Sequence, residues 1–419
     1  MKILFVSDNY PPEVNAPASR TFEHCREWSK AGHEVSVLTC SPNFPRGKLF
    51  AGYKNSLYKV EKSQGIRIIR VWSFISANEG IIKRTIDHLS FAFTSFIFGL
   101  FQDCDVIIGT SPQFFVALTI KYLSKFKKKP CILEIRDLWP DSIRGLGALK
   151  DGFLIKLLSN LELQCYKTAD LIIVVTESFR EEIAKRGINT NKIKVVKNGA
   201  NLELFGRISK NTQLRRKFCS ENKFLVGYIG THGMAHGLDF IIRAISKLDP
   251  FEFHFIFIGE GSEKNKLIQL SMNLKCTNIK FIDAVSKENV PDYISITDAV
   301  MIPLRRLKIY TQVIPSKIFE SAAMQKPILL GVDGEARQIV EKYKSGIYFQ
   351  PENEKALRAG LIKLKNDKIL YKKCTYGCKD LANNYNRKKL ALEMLQHIED
   401  LKNNGSMEKS VIPSHNIKA

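Results

Sequence analysis

FLVGYIG, Phe224–Gly230, decides how this chain is built. Its apolar residues run without polar alternation and stop at a glycine. A strand with one face in water alternates, whereas a strand buried on both faces does not. The run therefore predicts a strand in a parallel sheet covered by helices on both sides. Downstream, FHFIFIGEG, IKFIDAV, AVMIPL, PILLGV and GIYF repeat the pattern with helical segments between them. Upstream, KILFV, EVSVLTC, IRIIRVW, DVIIGTS, CILEI, DLIIVVTES and IKVVKN form an earlier set, spaced by amphipathic segments such as Phe22–Ala31 and Gly152–Ala169. FLVGYIG is thus a restart, and the polar, basic stretch before it is a boundary. The expected fold class is α/β, with two doubly wound parallel-sheet domains over residues 1–200 and 223–380 and a linker at 201–222. Ligands of such sheets bind at the carboxyl ends of the strands, so a cleft between two facing domains is the default site. After Lys402 the residues NNGSMEKSVIPSHNIKA have little to bury, which predicts a disordered tail at 403–419.

The bulk composition narrows the function. With 419 residues, 44% hydrophobic and 25% charged, the chain is globular and long enough for two full cores. Its formal charge of +22 calls for a nucleic acid, an anionic bilayer or a phosphorylated substrate as partner. The basic residues are dispersed and no recognition motif accompanies them, which disfavours nucleic acid. Nine irregularly spaced cysteines do not make a disulfide framework, and Cys374 with Cys378 lacks the second pair a zinc site needs. They read as reduced core thiols of a cytoplasmic protein. MKILFVSD is too short in its apolar run for a signal peptide, and Asp8 closes it. No apolar run reaches the roughly 18 residues of a transmembrane helix.

Several strand ends carry turns suited to an anion. SDNYPPEVNAPASR, Ser7–Arg20, is a proline-rich loop with a helix expected from about Ser19; it reads as an ordinary connection or as an anion site at a helix N-terminus. GYIGTHGMAHGLD, Gly227–Asp239, repeats strand, glycine turn and helix, which lets a backbone approach phosphates closely. It is neither a GxGxxG fingerprint nor a P-loop; His232 and His236 are phosphate contacts or plain surface histidines. FIGEGSEKNKL, Phe257–Leu267, is a weaker example, and KNGANLELF, Lys197–Phe205, ends the first domain in a tight turn. PSKIFESAAM, Pro315–Met324, opens a buried helix yet places Lys317 and Glu320 in its first turn. Ser316 is a candidate cap. Lys317 and Glu320 are either solvated beside the helix dipole or part of a site.

The ordered set YPPEVNAPASR, RDLWPDS (Arg136–Ser142), ADLIIVVTES, KNGANLELF, GYIGTHG, IGEGSEK and PSKIFESAAMQKPIL resembles glycosyltransferase family 4 over residues 1–402. Within it, RDLWPDS and PSKIFE look most like the WbuB-type L-fucosamine transferases of O-antigen and capsule assembly. The resemblance implies a GT-B fold: two Rossmann-like domains, an acceptor held by the first, a nucleotide-sugar by the second, and a C-terminal helix at 381–402 crossing back. It implies a donor site of Gly230, Thr231, His232, His236, Gly259, Gly261, Ala284, Pro315, Ser316, Lys317 and Glu320. The Lys317 turn would neutralise the departing phosphate and Glu320 would hold the ribose hydroxyls. It implies an acceptor-side loop of Asn15, Ala16, Arg20 and Trp139, and catalytic roles for Lys317, Glu320, Arg136 and Asp137. Chemistry in the family is usually retaining and metal-independent, so no metal and no cofactor are expected, with a UDP-sugar as donor substrate. Three positions depart from the family pattern. Gln312 replaces the first glutamate of E-x7-E, Thr231 and His236 replace a basic pair, and Arg136 replaces a histidine. Positive charge is redistributed to Lys317 and to Arg305, Arg306 or Arg136.

Ile81–Phe101, IIKRTIDHLSFAFTSFIFGLF, carries five phenylalanines beyond Lys83 and Arg84. It reads as a core helix or as a helix lying in a membrane interface, with KFKKK (Lys125–Lys129) and Lys54–Arg70 adding attraction to anionic lipid. The expectation is a peripheral enzyme on the cytoplasmic face of the plasma membrane. It would move a sugar, N-acetyl-L-fucosamine, from a UDP-sugar to a polyprenyl-diphosphate-linked saccharide; no nucleic acid is involved. Two rivals are a GT-B epimerase, which would need carboxylates that Gln312 does not supply, and a non-enzymatic basic membrane- or nucleic-acid-binding protein.

Overall fold

The computed structural model describes residues 1–44, 47–76, 81–111, 113–139, 152–206, 211–220 and 222–410. The chain divides into two compact units, Met1–Lys197 with Lys388–Ala419, and Asn198–Arg387. Each is built on its own sheet.

The first unit orders its eight strands β3-β4-β2-β1-β5-β6-β7-β8. These are β1 (Lys2–Val6), β2 (Glu34–Cys40), β3 (Tyr58–Ser63), β4 (Ile66–Val71), β5 (Val106–Thr110), β6 (Cys131–Ile135), β7 (Leu171–Val174) and β8 (Ile193–Val195). Every pairing is parallel except β3 with β4. The sequence reading missed β3 because YKVEKS is polar and largely exposed, an edge strand without a buried face. It turns into β4 through Gln64 and Gly65, both at positive φ, the geometry of a tight two-residue hairpin. Helices α1 (Ala16–Lys30), α2 (Ile81–Leu100), α3 (Phe114–Lys127), α4 (Phe153–Thr168) and α5 (Glu177–Lys185) connect the strands. Helix α1 begins three residues earlier than expected because the Asn15 side chain accepts from the Ala18 N–H and Pro17 suits the first turn.

The second unit runs β11-β10-β9-β12-β13-β14, all parallel. Its strands are β9 (Phe224–Ile229), β10 (Phe253–Ile258), β11 (Ile279–Ile282), β12 (Ala299–Pro303), β13 (Ile328–Gly331) and β14 (Gly346–Tyr348). In chain order this is 3-2-1-4-5-6, so the winding reverses between β9 and β12, where such folds place their ligands. Helices α6 (Thr212–Arg216), α7 (Leu238–Ile245), α8 (Lys264–Asn273), α9 (Val290–Ile296), α10 (Lys317–Ala323), α11 (Glu335–Lys342), α12 (Glu354–Asn366) and α13 (Lys368–Asn384) cover it. The stretch read as a linker, 201–222, belongs to this unit and includes α6.

The last helix, α14 (Arg387–Ser410), returns to the first unit. Leu390, Met394, Leu395 and Ile398 pack in the core that holds Trp28, whose indole N–H donates to the Ala391 carbonyl at 2.7 Å. The expected crossing helix at 381–402 is therefore the end of α13 followed by α14, and the expected disordered tail is helical as far as Ser410. The rest of that tail, 411–419, lies outside the described residues. All nine cysteines are free thiols, eight of them buried.

Candidate active site

In the second unit the turns after β9 and β10, beside the winding reversal, are stitched to one another by backbone. The Gly230 N–H donates to the Ile258 carbonyl at 2.8 Å, the His232 N–H to Glu260 at 2.8 Å, and the Glu263 N–H back to His232 at 3.0 Å. This zip works only with glycine: Gly259 has φ 145° and a Cβ there would lie 2.0 Å from the Gly230 carbonyl oxygen. Into the turn reaches Lys317, the first residue of α10. Its Nζ lies 3.2 Å from Tyr228 Oη and 4.4 Å from that ring's centroid. A Cβ on Gly230 would stand 2.3 Å from Nζ, so the glycine is what admits the ammonium. Burial pushes the Lys317 pKa down to about 8, with Glu320 opposing. Among the described residues no carboxylate is in ion-pair distance of this cation, and an incoming diphosphate would restore what burial removed.

The two histidines are not the plain surface groups that one of their two readings expected. The His232 ring is fully buried among Tyr228, Phe257 and Phe281, and among the described residues neither ring nitrogen has a hydrogen-bond partner. Burial, with Lys264 and Lys317 nearby, lowers its pKa to about 4, so the ring is neutral at pH 7. His236 sits edge-on to Tyr228 and is lowered to about 3 by burial and Lys317. Neither supplies positive charge; the first is floor beneath the turn and the second its wall. Thr231 and Ala284 are exposed, Ala284 in the loop after β11. Pro315 and Ser316 precede α10, and Ser316 makes no side-chain cap. Instead its carbonyl accepts from the Phe319 N–H at 3.0 Å.

Glu320, one turn into α10, is bound by Lys287 Nζ at 2.6 Å, and that ammonium also lies over the Phe205 ring at 5.3 Å. The pair ties the loop after β11 to α10. Arg305 is engaged elsewhere: it reaches Asp239 at 2.7 Å, Glu352 at 3.3 Å and the Met234 carbonyl at 2.9 Å, clamping the turn before α7. Gln312 closes a short 3-10 turn, Lys308–Gln312. A cavity of about 580 Å³ opens at the carboxyl ends of β12, β13 and β14, lined by Arg306, Lys308, Tyr310, Arg337 and Tyr348 among others. Of the residues above only Arg305 lines it, and neither Lys317, Glu320 nor the glycine turns do, so volume alone does not locate the site.

In the first unit the winding reverses between β1 and β5, and polar side chains gather at those strand ends. The Gln113 side-chain amide donates to Asp8 Oδ2. Asn15 Nδ2 donates to Asn9 Oδ1 at 2.7 Å. Ser111 Oγ accepts from the backbone N–H of Arg136 at 2.7 Å and of Asp137 at 3.2 Å, holding RDLW over the end of β5. Burial raises the Asp137 pKa to about 6 against the pull of Arg136. Trp139 stacks on Phe114 at 5.1 Å. Pro140, Asp141 and Ser142 of the same motif lie outside the described residues. Arg20, expected on the acceptor-side loop, is instead buried structure. It pairs with Glu134 at 2.8 Å and donates to the Val196 and Lys197 carbonyls at 3.0 and 2.9 Å, tying α1 to β6 and to the chain after β8. Ala16 is the first residue of α1.

Sequence reasoning missed Asp8, Gln113, Tyr228 and Lys287. Asp8 alone had a signal, a carboxylate closing a buried strand at the end where ligands bind. Its pKa is raised well above the ordinary carboxylate range by burial and by Asp87 and Glu13, and among the described residues its buried Oδ1 has no hydrogen-bond partner.

Comparison with known proteins agrees with this architecture. Residues 18–204 match the model of Glycosyltransferase Family 4, and residues 209–380 match that of Glycosyl transferases group 1. The chain is 25% identical over 373 residues to the protein of Escherichia coli (strain K12) named as colanic acid biosynthesis glycosyl transferase WcaI, covering 86% of this chain and 91% of that one. Among solved structures, sucrose-phosphate synthase from Thermosynechococcus elongatus superposes with a TM-score of 0.78 at 14% identity, covering 96% of this chain and 98% of the other. HepE of Anabaena, solved with UDP and glucose, gives 0.71 at 14% identity, covering 95% and 99%. With the model of Glycosyltransferase Family 4 matching residues 18–204, that of Glycosyl transferases group 1 matching residues 209–380, and the GT-B fold throughout, the chain is a GT-B glycosyltransferase.

Proposed function

We propose that this chain is a retaining glycosyltransferase of polysaccharide biosynthesis, taking its sugar from a UDP-sugar and giving it to a polyprenyl-diphosphate-linked saccharide. N-acetyl-L-fucosamine is the sugar the motifs RDLWPDS and PSKIFE favour, and the inner face of the plasma membrane is where such an acceptor is met. The observation that carries the reading is Lys317, a half-buried ammonium with a lowered pKa, set against Gly230 at the winding reversal of the second unit. A diphosphate leaving group gains negative charge as the sugar–oxygen bond breaks, and a preorganised cation in a desolvated site stabilises that change strongly. The similarity to WcaI supports a polysaccharide product, and HepE, bound to UDP, supports the nucleotide.

In this mechanism the bond from the anomeric carbon to the diphosphate oxygen breaks and one from the same carbon to the acceptor hydroxyl forms on the same face. The hydroxyl proton passes to the departing phosphate. Lys317 supplies the positive charge, so no metal is invoked. Glu320, held by Lys287, would orient the ribose. Asp137 and Asp8 of the first unit would take hydrogen bonds from acceptor hydroxyls. A panel of UDP-sugars, each tested for protection against thermal unfolding, is the direct test. Protection by UDP and by one UDP-sugar above the others is expected, and a chain that no UDP-sugar protects overturns the reading.

A further inference from the structure

The donor reading leaves unused the cavity of about 580 Å³ at the carboxyl ends of β12, β13 and β14, a size within the range of small-molecule pockets. Its lining carries four cationic side chains, Arg305, Arg306, Lys308 and Arg337, against one carboxylate, Asp333. Two of the four are committed to the fold. Arg305 makes the clamp described above, and Arg337 is held by Asp333 at 3.6 Å and by Glu341 at 2.8 Å. The other two are not. Arg306 and Lys308 are exposed, and among the described residues neither side chain has an ion-pair partner. Arg306, a candidate for the positive charge displaced from the family's basic pair, therefore lies in a cavity that Lys317 does not line. Cations gathered in a concave site repel one another and focus a positive potential, which an anion relieves.

The uncharged lining suits a sugar. Tyr310, Tyr348 and Gln350 face the cavity. A tyrosine offers a flat apolar ring with a hydroxyl at its rim, which matches the C–H face and hydroxyl edge of a pyranose. The glutamine amide both donates and accepts. Arg337 lies over the Tyr348 ring at 4.1 Å, which fixes ring and guanidinium in the wall before a ligand arrives. Leu304 and Val332, both buried, close the cavity from the ends of β12 and β13.

We infer that this cavity is a second ligand site, one for an anionic saccharide: a sugar ring set against the tyrosines, its carboxylate or phosphate held by Arg306 and Lys308. A sugar acid and a sugar phosphate share that chemistry, an anion on a hydroxylated ring. Neither Lys317 nor Glu320 lines the cavity, so the site stands independently of the donor site proposed above.

The experiment is calorimetric titration of the full chain with glucuronic acid, glucose 6-phosphate, glucose and inorganic phosphate. One or both anionic sugars should bind about tenfold more tightly than glucose, the worth of two partly exposed ion pairs, and more tightly than inorganic phosphate. The tighter of the two names the anion. Arg306→Gln with Lys308→Gln should weaken that binding about tenfold, and each change alone about threefold. Because both side chains are exposed, the melting temperature should stay at its wild-type value. Saturating UDP should not compete. Binding of no probe, glucose bound as tightly as the anionic sugars, or wild-type binding by the double variant overturns the inference. Inorganic phosphate bound as tightly as the sugars overturns it too, because the site would then recognise an anion without a saccharide. Displacement by UDP overturns it by returning the cavity to the donor site. A wild type that binds an anionic sugar but no UDP would sink the catalytic proposal and leave this one standing.

Discussion

Lys317 Nζ lies 4.4 Å from the centroid of the Tyr228 ring and 3.2 Å from its hydroxyl, in the space that the missing side chain of Gly230 leaves open. The aromatic ring stabilises a charge that burial disfavours, which leaves the ammonium present at neutral pH but easily lost. Lys317→Met should weaken UDP binding by about 1.5–3 kcal/mol, the worth of hydrogen bonds to a charged group. It should lower turnover by more, because negative charge grows as the phosphate departs. The Lys317 pKa of about 8 sets the pH dependence. Below it the lysine is charged and UDP affinity should be flat; above it the charge is lost and affinity should fall. Calorimetric titration across that range checks this, and a Lys317→Met chain that binds UDP like wild type at every pH removes the lysine from the site.

Gly230→Ala tests the same arrangement from its other side. The residue has φ 146°, a region L side chains avoid, and its Cβ would overlap Lys317 Nζ. The strain should cost about 1–3 kcal/mol of stability, with UDP affinity lost as the lysine is displaced. Gly233→Ala, whose Cβ meets only Thr231 Cγ2 at 3.6 Å, should change neither. Equal effects at the two positions in melting and titration would contradict the close contact.

For Glu320 the ion pair with Lys287 creates a distinction between holding the loop and holding the ligand. Glu320→Ala should weaken UDP binding by about 1.5–3 kcal/mol. Lys287→Ala should cost about 1 kcal/mol of stability, as for other partly exposed pairs, and less of the UDP affinity. If Lys287→Ala weakens UDP binding as much as Glu320→Ala does, Glu320 acts only by anchoring the loop.

Asp8→Asn should stabilise the protein and impair it. The folded-state pKa of Asp8 is raised, so the native state binds a proton more readily than the unfolded chain. Stability contributed by this group is then present at low pH and is lost as pH rises above the unfolded-state value. The amide variant lacks that loss, so its melting temperature at pH 7–8 should exceed that of wild type and converge with it in acid. Its apparent acceptor constant should rise while UDP binding stays unchanged. A lower melting temperature at neutral pH would show that Asp8 is ionised and paired in the native state.

The sequence by itself determined the two sheets. Runs such as FLVGYIG and DVIIGTS are apolar on both faces, and that property is local, so it survives without knowledge of any partner. Glycines at 230, 259 and 261 were legible for the same reason, since a turn after a buried strand announces itself in its own residues. Edge strand β3 was not, because an exposed polar strand has no periodic signature and forms only by pairing with β4. Tertiary structure alone decided what the polar groups do. Lys317 meets Tyr228 across 89 residues, Gln113 meets Asp8 across 105, and Arg20 meets Glu134 across 114. Nothing in a local pattern separates Arg20, used to bind α1 to its sheet, from Lys317, set against Gly230 and the Tyr228 ring. Helix α2 makes the same point in apolar residues. Its composition left core and interface open, and the packing of neighbouring helices buries Phe91 on one side while Ile82 and Phe93 stay exposed on the other. A side chain's chemistry is written in the sequence, but its desolvation and its partners exist only once distant strands have brought them together.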